Sequence, residues 1–124
     1  MVKPRYHINS LKAALQGLSY AIKHELNFQI EVTLGTLAVL LGVALGITQL
    51  EWLILILMIG LILGLELVNT GFERLADANT PRFHSEIKVA KDVSAAAVLM
   101  ASIAAVAVGF WLFGPRLAEI FGIL

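Results

Sequence analysis

Three long apolar segments limit what this chain can fold into. Residues 32–50 contain no charged side chain for 19 positions, and residues 93–115 contain none for 23. At about 1.5 Å per residue, a helix of either length crosses a hydrocarbon core of roughly 30 Å. The remaining segment, second along the chain, has only 14 uncharged residues between Glu51 and Glu66. Its helix therefore has to continue past Glu66 to cross the membrane. With 59% hydrophobic and 15% charged residues, the sequence predicts an all-α membrane protein with three transmembrane helices.

Residues 10–22 precede these segments and have a different pattern. Their apolar side chains recur at helical spacing and their lysine and glutamine side chains fall mostly elsewhere, which predicts an amphipathic helix on the membrane surface. A soluble helix packed on the protein itself is the alternative. We expect one domain over residues 1–124, with a surface helix at about 8–24 and spans at about 28–48, 50–76 and 86–114. Ser85 is expected to cap the helix of the last span.

Lysine and arginine residues are distributed unevenly between the connecting segments. Four precede the first span, none lies between the first two spans, four lie between the second and third, and one follows. The positive-inside rule then predicts a cytoplasmic N-terminus and second loop, with the C-terminus outside. Cysteine is absent, which excludes disulfides and thiolate metal sites.

A stripe of polar side chains begins inside the second span. At about 100° per residue, Asn69, Glu73 and Asp77 lie within about 60° of Glu66 on one helix face. An ionised carboxylate is costly inside a membrane and is rarely left unpaired, so we expect Glu66 to be functional. Glu73 lies nearer to water, and Asp77 is also explained as a loop residue.

More polar residues are expected at the same membrane level. Glu25 and Glu31 flank the start of the first span, and Lys88, Lys91 and Asp92 share a face at the start of the third. Carboxylates suit Mg²⁺ that also binds phosphate oxygens, lysines suit phosphate, and a glutamate at this depth can act as a base toward a lipid hydroxyl. These are the requirements of phosphoryl transfer. The sequence lacks a P-loop and the protein-kinase motifs, so a different architecture is needed.

Two linked motifs point to a family. Residues 66–77 fit the pattern ExxNTxxExxxD, and residues 84–98 contain a histidine followed by AKDxxxxAV. Together they resemble the prokaryotic diacylglycerol kinase and undecaprenol kinase family, and the match extends upstream through residues 10–17 and 25–28. The resemblance implies a homotrimer in the bacterial inner membrane, with active sites that face the cytoplasm and are shared between subunits.

The resemblance also implies roles for individual residues. Glu66 would be the general base, and Glu25 and Glu73 would bind the Mg²⁺ that accompanies ATP. The implied ATP-binding residues are Asn69, Arg82, Phe83, His84, Lys91 and Asp92. Positions that could contact the lipid or support the site are Gly17, Asn27, Glu31, Asp77 and Lys88.

The implied reaction is ATP- and Mg²⁺-dependent phosphorylation of a lipid alcohol. The Glu25-x-Asn27 sequence is similar to the undecaprenol kinase branch, so undecaprenol is the expected substrate and diacylglycerol the alternative. A second class of function is a proton- or cation-coupled transporter that uses Glu66, and a third is a non-catalytic membrane subunit. The transporter leaves the Lys–Asp pair of the third span unexplained, and the subunit requires none of these residues.

Overall fold

A computed structural model describes residues 6–79 and 84–124 of the chain. The described residues form four α-helices and no strand: α1 (Tyr6–His24), α2 (Leu26–Leu45), α3 (Gln49–Asn79) and α4 (Ser85–Ile120). Helices α2, α3 and α4 are long and apolar enough to cross a membrane. The expected all-α architecture, an N-terminal helix followed by three candidate spans, is therefore confirmed.

Helix α1 carries its apolar side chains on the outside. Leu11, Leu15 and Ile22 are each at least half exposed, whereas Ala21 is buried. Exposed leucine and isoleucine at helical spacing favour a helix that lies on the membrane surface over one that packs entirely on its own protein.

Glu25 separates α1 from α2 and bends the chain. Its backbone is extended, with φ −106° and ψ 107°. The hydrogen bonds of the two helices nevertheless continue across it, since the Glu25 amide donates to the Ala21 carbonyl at 3.0 Å and the Gln29 amide donates to the Glu25 carbonyl at 3.1 Å. The Gln29 side chain also donates to the Ile22 carbonyl at 3.0 Å. The bend therefore places the Glu25 carboxylate between the surface helix and the first span.

The turn between α2 and α3 is short because both helix ends are capped. Gly46 has a φ of +62°, a left-handed conformation that suits glycine after the last turn of a helix. The Thr48 hydroxyl accepts from the Glu51 amide at 3.3 Å, and the Glu51 carboxylate accepts from the Thr48 amide at 2.7 Å. This reciprocal pair is a capping box, which satisfies two backbone donors at the start of α3.

The main apolar core lies beside this turn and contains Ile47, Leu55, Leu112 and Phe113. An ion pair closes the same end of the bundle. The Arg116 guanidinium donates to both carboxylate oxygens of Glu51, at 3.0 and 2.8 Å, and to the Leu112 carbonyl at 2.8 Å. We call this part, comprising the core, the capping box and the ion pair, the closed end.

Helix α4 begins differently from the sequence prediction. The expected Ser85 cap is wrong, because His84 occupies the N-cap position without a side-chain cap. The His84 carbonyl already accepts from the Lys88 amide at 3.0 Å, so Ser85 lies inside the first turn. At the other end α4 continues through Pro115 to Ile120, which brings Arg116 to Glu51.

Candidate active site

The polar stripe of α3 is buried at the end of the bundle opposite the closed end. Glu66, Asn69 and Thr70 are the buried polar residues within the described part of the chain, with exposed fractions of 4%, 5% and 8%. They face inward because a helical repeat places positions 66, 69, 70 and 73 on one side. The helices of this one chain are thus enough to bury Glu66, the expected base, away from water.

The neighbours of Glu66 come mostly from the start of α2. The Asn27 side chain lies near the Glu66 carboxylate, and Glu31, Glu73 and Glu25 are close enough to interact with it electrostatically. Four carboxylates therefore share one region. Arg74 already pairs with one of them, Glu25. The other three form a region of negative potential, which attracts a cation, and the Asn27 amide is a neutral group beside the deepest of them, Glu66.

Asn69 makes hydrogen bonds on both sides of its amide, one within α3 and one to α4. Its Nδ2 donates to Glu73 Oε1 at 3.3 Å, and its Oδ1 accepts from Ser94 Oγ at 2.7 Å. Asn69 and Glu73 were expected from the sequence, whereas Ser94 was missed. Ser94 lies three residues after Lys91, on the same face of α4, and this spacing was the available signal.

Arg74 holds the Glu25 carboxylate and also contacts the surface helix. Its guanidinium donates to Glu25 Oε1 and lies 5.4 Å from the centre of the Tyr20 ring. The Tyr20 ring in turn packs against His24, with 4.9 Å between the ring centres. These contacts tie α1, the bend at Glu25 and α3 together. The sequence patterns assigned Arg74 no part in the site.

The remaining charged residues form a second, more exposed group further along α3. Lys91 Nζ pairs with Asp77 Oδ1 at 2.9 Å, which links α4 to α3. Lys88 pairs with Asp92 within α4, and the Asp92 side chain is 62% exposed. Asp77, predicted to be either part of the stripe or a loop residue, therefore lies on α3 and binds the lysine of the second motif.

Two other expected positions, Gly17 and His84, lie apart from these contacts. Gly17 lies on α1, where an added Cβ would meet no other atom within 4 Å, so packing within this chain does not require glycine. His84 is exposed at the N-cap of α4. Arg82 and Phe83, both expected to contact ATP, lie outside the described residues.

The donor set suits Mg²⁺ that arrives with a nucleotide. The described residues contain no group of three or more histidine, aspartate or glutamate side chains arranged to hold a metal on their own. Mg²⁺ at phosphate sites commonly takes one or two protein carboxylates and completes its shell with phosphate oxygens and water. Glu25 and Glu73, which both lie near Glu66, are carboxylates of the kind that would hold it, and Glu25 is paired with Arg74 in this structure.

Fold and site together define a helical membrane protein with three spans and a carboxylate-rich site at one end of its bundle. The chain belongs to the prokaryotic diacylglycerol kinase family, whose profile matches residues 12–113. It is 31% identical over 102 residues to the undecaprenol kinase of Bacillus subtilis, covering 82% of this chain and 83% of the relative.

Two diacylglycerol kinases are also similar. The Synechocystis enzyme is 36% identical over 112 residues, covering 90% of this chain and 64% of the relative. The Haemophilus influenzae enzyme is 36% identical over 94 residues, covering 76% and 80%.

Family membership confirms the resemblance and identifies the chain as a lipid kinase. A lipid substrate and ATP follow from this class of enzyme. With three apolar helices long enough to span a bilayer, it is an integral membrane protein. The family assignment favours the kinase over the transporter and the non-catalytic subunit.

Proposed function

We propose that this kinase transfers the γ-phosphoryl group of Mg²⁺-bound ATP to the hydroxyl of undecaprenol, with Glu66 as the general base. The burial of Glu66, at 4% exposure, is the observation that carries the proposal. A carboxylate at this depth meets a lipid hydroxyl at the membrane edge, where few water molecules compete for the phosphoryl group.

The proposed reaction assigns one residue to proton transfer and two to the metal. Glu66 takes the proton of the lipid hydroxyl while the hydroxyl oxygen forms a bond to the γ-phosphorus. The bond between that phosphorus and the β–γ bridging oxygen breaks, and ADP leaves with its electron pair. Glu25 and Glu73 would hold the Mg²⁺, which would neutralise phosphate charge when it is bound with ATP.

Lys91 and Asp92 belong to the proposed nucleotide site together with Asn69, His84, Arg82 and Phe83. The ion pairs of Lys91 with Asp77 and of Lys88 with Asp92 lie at the exposed end of the stripe, where phosphates arriving from the aqueous side reach the lysines. The site faces the cytoplasm in this proposal, because the basic residues of the second loop lie on that side.

Asn27 supports undecaprenol as the lipid. Its amide lies beside Glu66, at the point where the hydroxyl must approach. A polyprenol has one hydroxyl and no ester groups, so a single amide and a carboxylate are enough to orient it. Diacylglycerol, the alternative substrate, carries two esters next to its hydroxyl and needs additional polar contacts.

We also propose a homotrimer with shared active sites, as the family resemblance implies. Large apolar side chains such as Leu40, Leu57 and Phe110 are more than half exposed on α2, α3 and α4. Neighbouring subunits and lipid together would cover such surfaces.

Labelled ATP tests this function and its substrate. The purified protein in detergent micelles is given γ-labelled ATP and Mg²⁺ with undecaprenol or with diacylglycerol, and the label in the extracted lipid is measured. We expect faster labelling of undecaprenol. Label in neither lipid would contradict the kinase assignment, and faster labelling of diacylglycerol would overturn the substrate preference.

A further inference from the structure

The hydrogen bond between Ser94 and Asn69 has no part in the reaction described so far. We propose that Ser94 is a positioning residue for the phosphotransfer site. Its hydroxyl sets the orientation of the Asn69 amide and, through that amide, of the Glu73 carboxylate. This inference rests on the proposed function, in which Glu73 binds the Mg²⁺ of the nucleotide.

The chemistry of the three groups allows one arrangement of protons. An ionised Glu73 carboxylate only accepts hydrogen bonds, so the Asn69 NH₂ group has to point toward it. The amide oxygen of Asn69 then faces Ser94, and the Ser94 hydroxyl has to donate. The distances of 2.7 Å and 3.3 Å fit this direction along the whole chain of contacts.

Burial makes the Ser94 hydroxyl hard to replace. Asn69 is only 5% exposed, so water has little access to its amide oxygen. Without the hydroxyl, that oxygen loses its partner, and the amide is held only by its bond to Glu73. An amide held on one side is free to rotate, so it positions the Glu73 carboxylate less well.

The packing of α3 against α4 does not depend on this one contact. Arg116 bonds to Glu51 at the closed end, and Lys91 pairs with Asp77 at the exposed end. Both connect the same two helices. Loss of the Ser94 hydroxyl should therefore disturb the site, which lies between these two contacts, more than it lowers the stability of the fold.

The test uses the full-length protein in micelles and reads metal binding directly. Mn²⁺ binding is measured by electron paramagnetic resonance in the presence of a non-hydrolysable ATP analogue, with KM for Mg²⁺ and kcat measured in parallel. For Ser94→Ala we expect the Mn²⁺ dissociation constant to rise about fivefold, the effect of one typical hydrogen bond. KM for Mg²⁺ should rise more than kcat falls, and Ser94→Thr should restore both because it keeps a hydroxyl.

Ser102→Ala is the matched control, since it makes the same change on the same helix about two turns away. It should bind Mn²⁺ as the unaltered protein does. Ser94→Cys keeps the side-chain size with a much weaker donor, so it tests the inference if Ser94→Ala does not fold. We expect it to bind Mn²⁺ weakly without a change in thermal unfolding.

Two results would overturn the role of Ser94: unchanged Mn²⁺ binding in Ser94→Ala and Ser94→Cys, or an affinity in Ser94→Thr as low as in Ser94→Ala. The proposed function fails in a different way. A protein that labels no lipid, yet loses Mn²⁺ affinity in Ser94→Ala and regains it in Ser94→Thr, would support the positioning role and contradict the lipid kinase reaction.

Discussion

The two ends of α3 each carry a partly or fully buried glutamate in opposite surroundings. At the closed end, Glu51 is 14% exposed and is bonded by Arg116 and by the Thr48 amide. At the site end, Glu66 is 4% exposed and lies among Glu31, Glu73 and Glu25 with one amide, that of Asn27. The chain itself supplies the hydrogen-bond partners of the first carboxylate. In the proposed function, a cation and a substrate complete the second.

This contrast separates a structural charge from a functional one. A buried carboxylate with a bidentate arginine and a backbone amide has most of its hydrogen-bonding capacity filled, so it binds nothing further. A buried carboxylate surrounded by like charges is unfavourable for folding alone, and such arrangements occur where binding or catalysis requires them. The predictions below test whether the two ends differ in this way.

Apart from loss of the base itself, the largest expected effect on the rate comes from replacing Asn27, whose amide lies beside Glu66. Asn27→Ala removes the neutral donor at the site end, and we expect kcat/KM for undecaprenol to fall roughly tenfold, the scale of a hydrogen bond to a charged group. Initial rates of lipid labelling measure this. Asn79→Ala, at the end of α3, is the control; an equal loss there would show that the effect is not specific to the site.

At the closed end, Glu51→Gln should affect the fold and spare the reaction. It removes the charge that Arg116 needs, so the thermal unfolding midpoint should fall by a few degrees. The folded fraction should keep its kcat. Glu119→Gln, an exposed residue of the same region, should leave the midpoint unchanged. A midpoint for Glu51→Gln equal to that of the unaltered protein would show that the ion pair does not hold the closed end.

Glu66→Gln should have the opposite effect on stability. Replacement of a buried charge by a neutral amide relieves its repulsion with Glu31 and Glu73, so we expect the unfolding midpoint to stay the same or rise slightly. Differential scanning fluorimetry in one detergent compares it with Glu51→Gln. A clear fall in the midpoint would mean that Glu66 is a structural residue, and the contrast between the two ends would be lost.

The smallest effect is expected from Arg74, whose side chain is 59% exposed. Arg74→Gln breaks its contacts with Glu25 and Tyr20, so α1 should become more mobile on the membrane surface. A spin label at Ala14→Cys reports this motion without a competing thiol, because the chain has no cysteine. Arg74→Lys keeps the charge and should have less effect. Identical spectra for all three proteins would exclude Arg74 as the link to α1.

The parts predictable from sequence were those set by distance along one helix. The lengths of the apolar segments predicted three helices long enough to cross a membrane, and the helical repeat placed Asn69 and Glu73 on the same face as Glu66. Both follow from α-helix geometry, which needs no knowledge of the neighbouring helices.

The parts that sequence could not provide depend on how helices are rotated against one another. Glu51 and Arg116 are 65 residues apart, and Asn69 and Ser94 are 25 apart. The spacing on α4 grouped Lys88, Lys91 and Asp92 on one face, but packing turns Lys91 toward Asp77 and leaves Lys88 with Asp92. The Ser85 cap failed for a local reason, since the N-cap position falls on His84, one residue before the best capping side chain.

The most direct measurement compares the two glutamates in one assay. Equal amounts of folded Glu66→Gln and Glu51→Gln protein, at saturating Mg²⁺ and γ-labelled ATP, are given undecaprenol, and the initial rate of lipid labelling is recorded. Loss of a general base typically lowers a rate by about 10²- to 10⁴-fold, and we expect that loss for Glu66→Gln and a normal rate for Glu51→Gln. A Glu66→Gln rate equal to that of the unaltered protein would contradict the account.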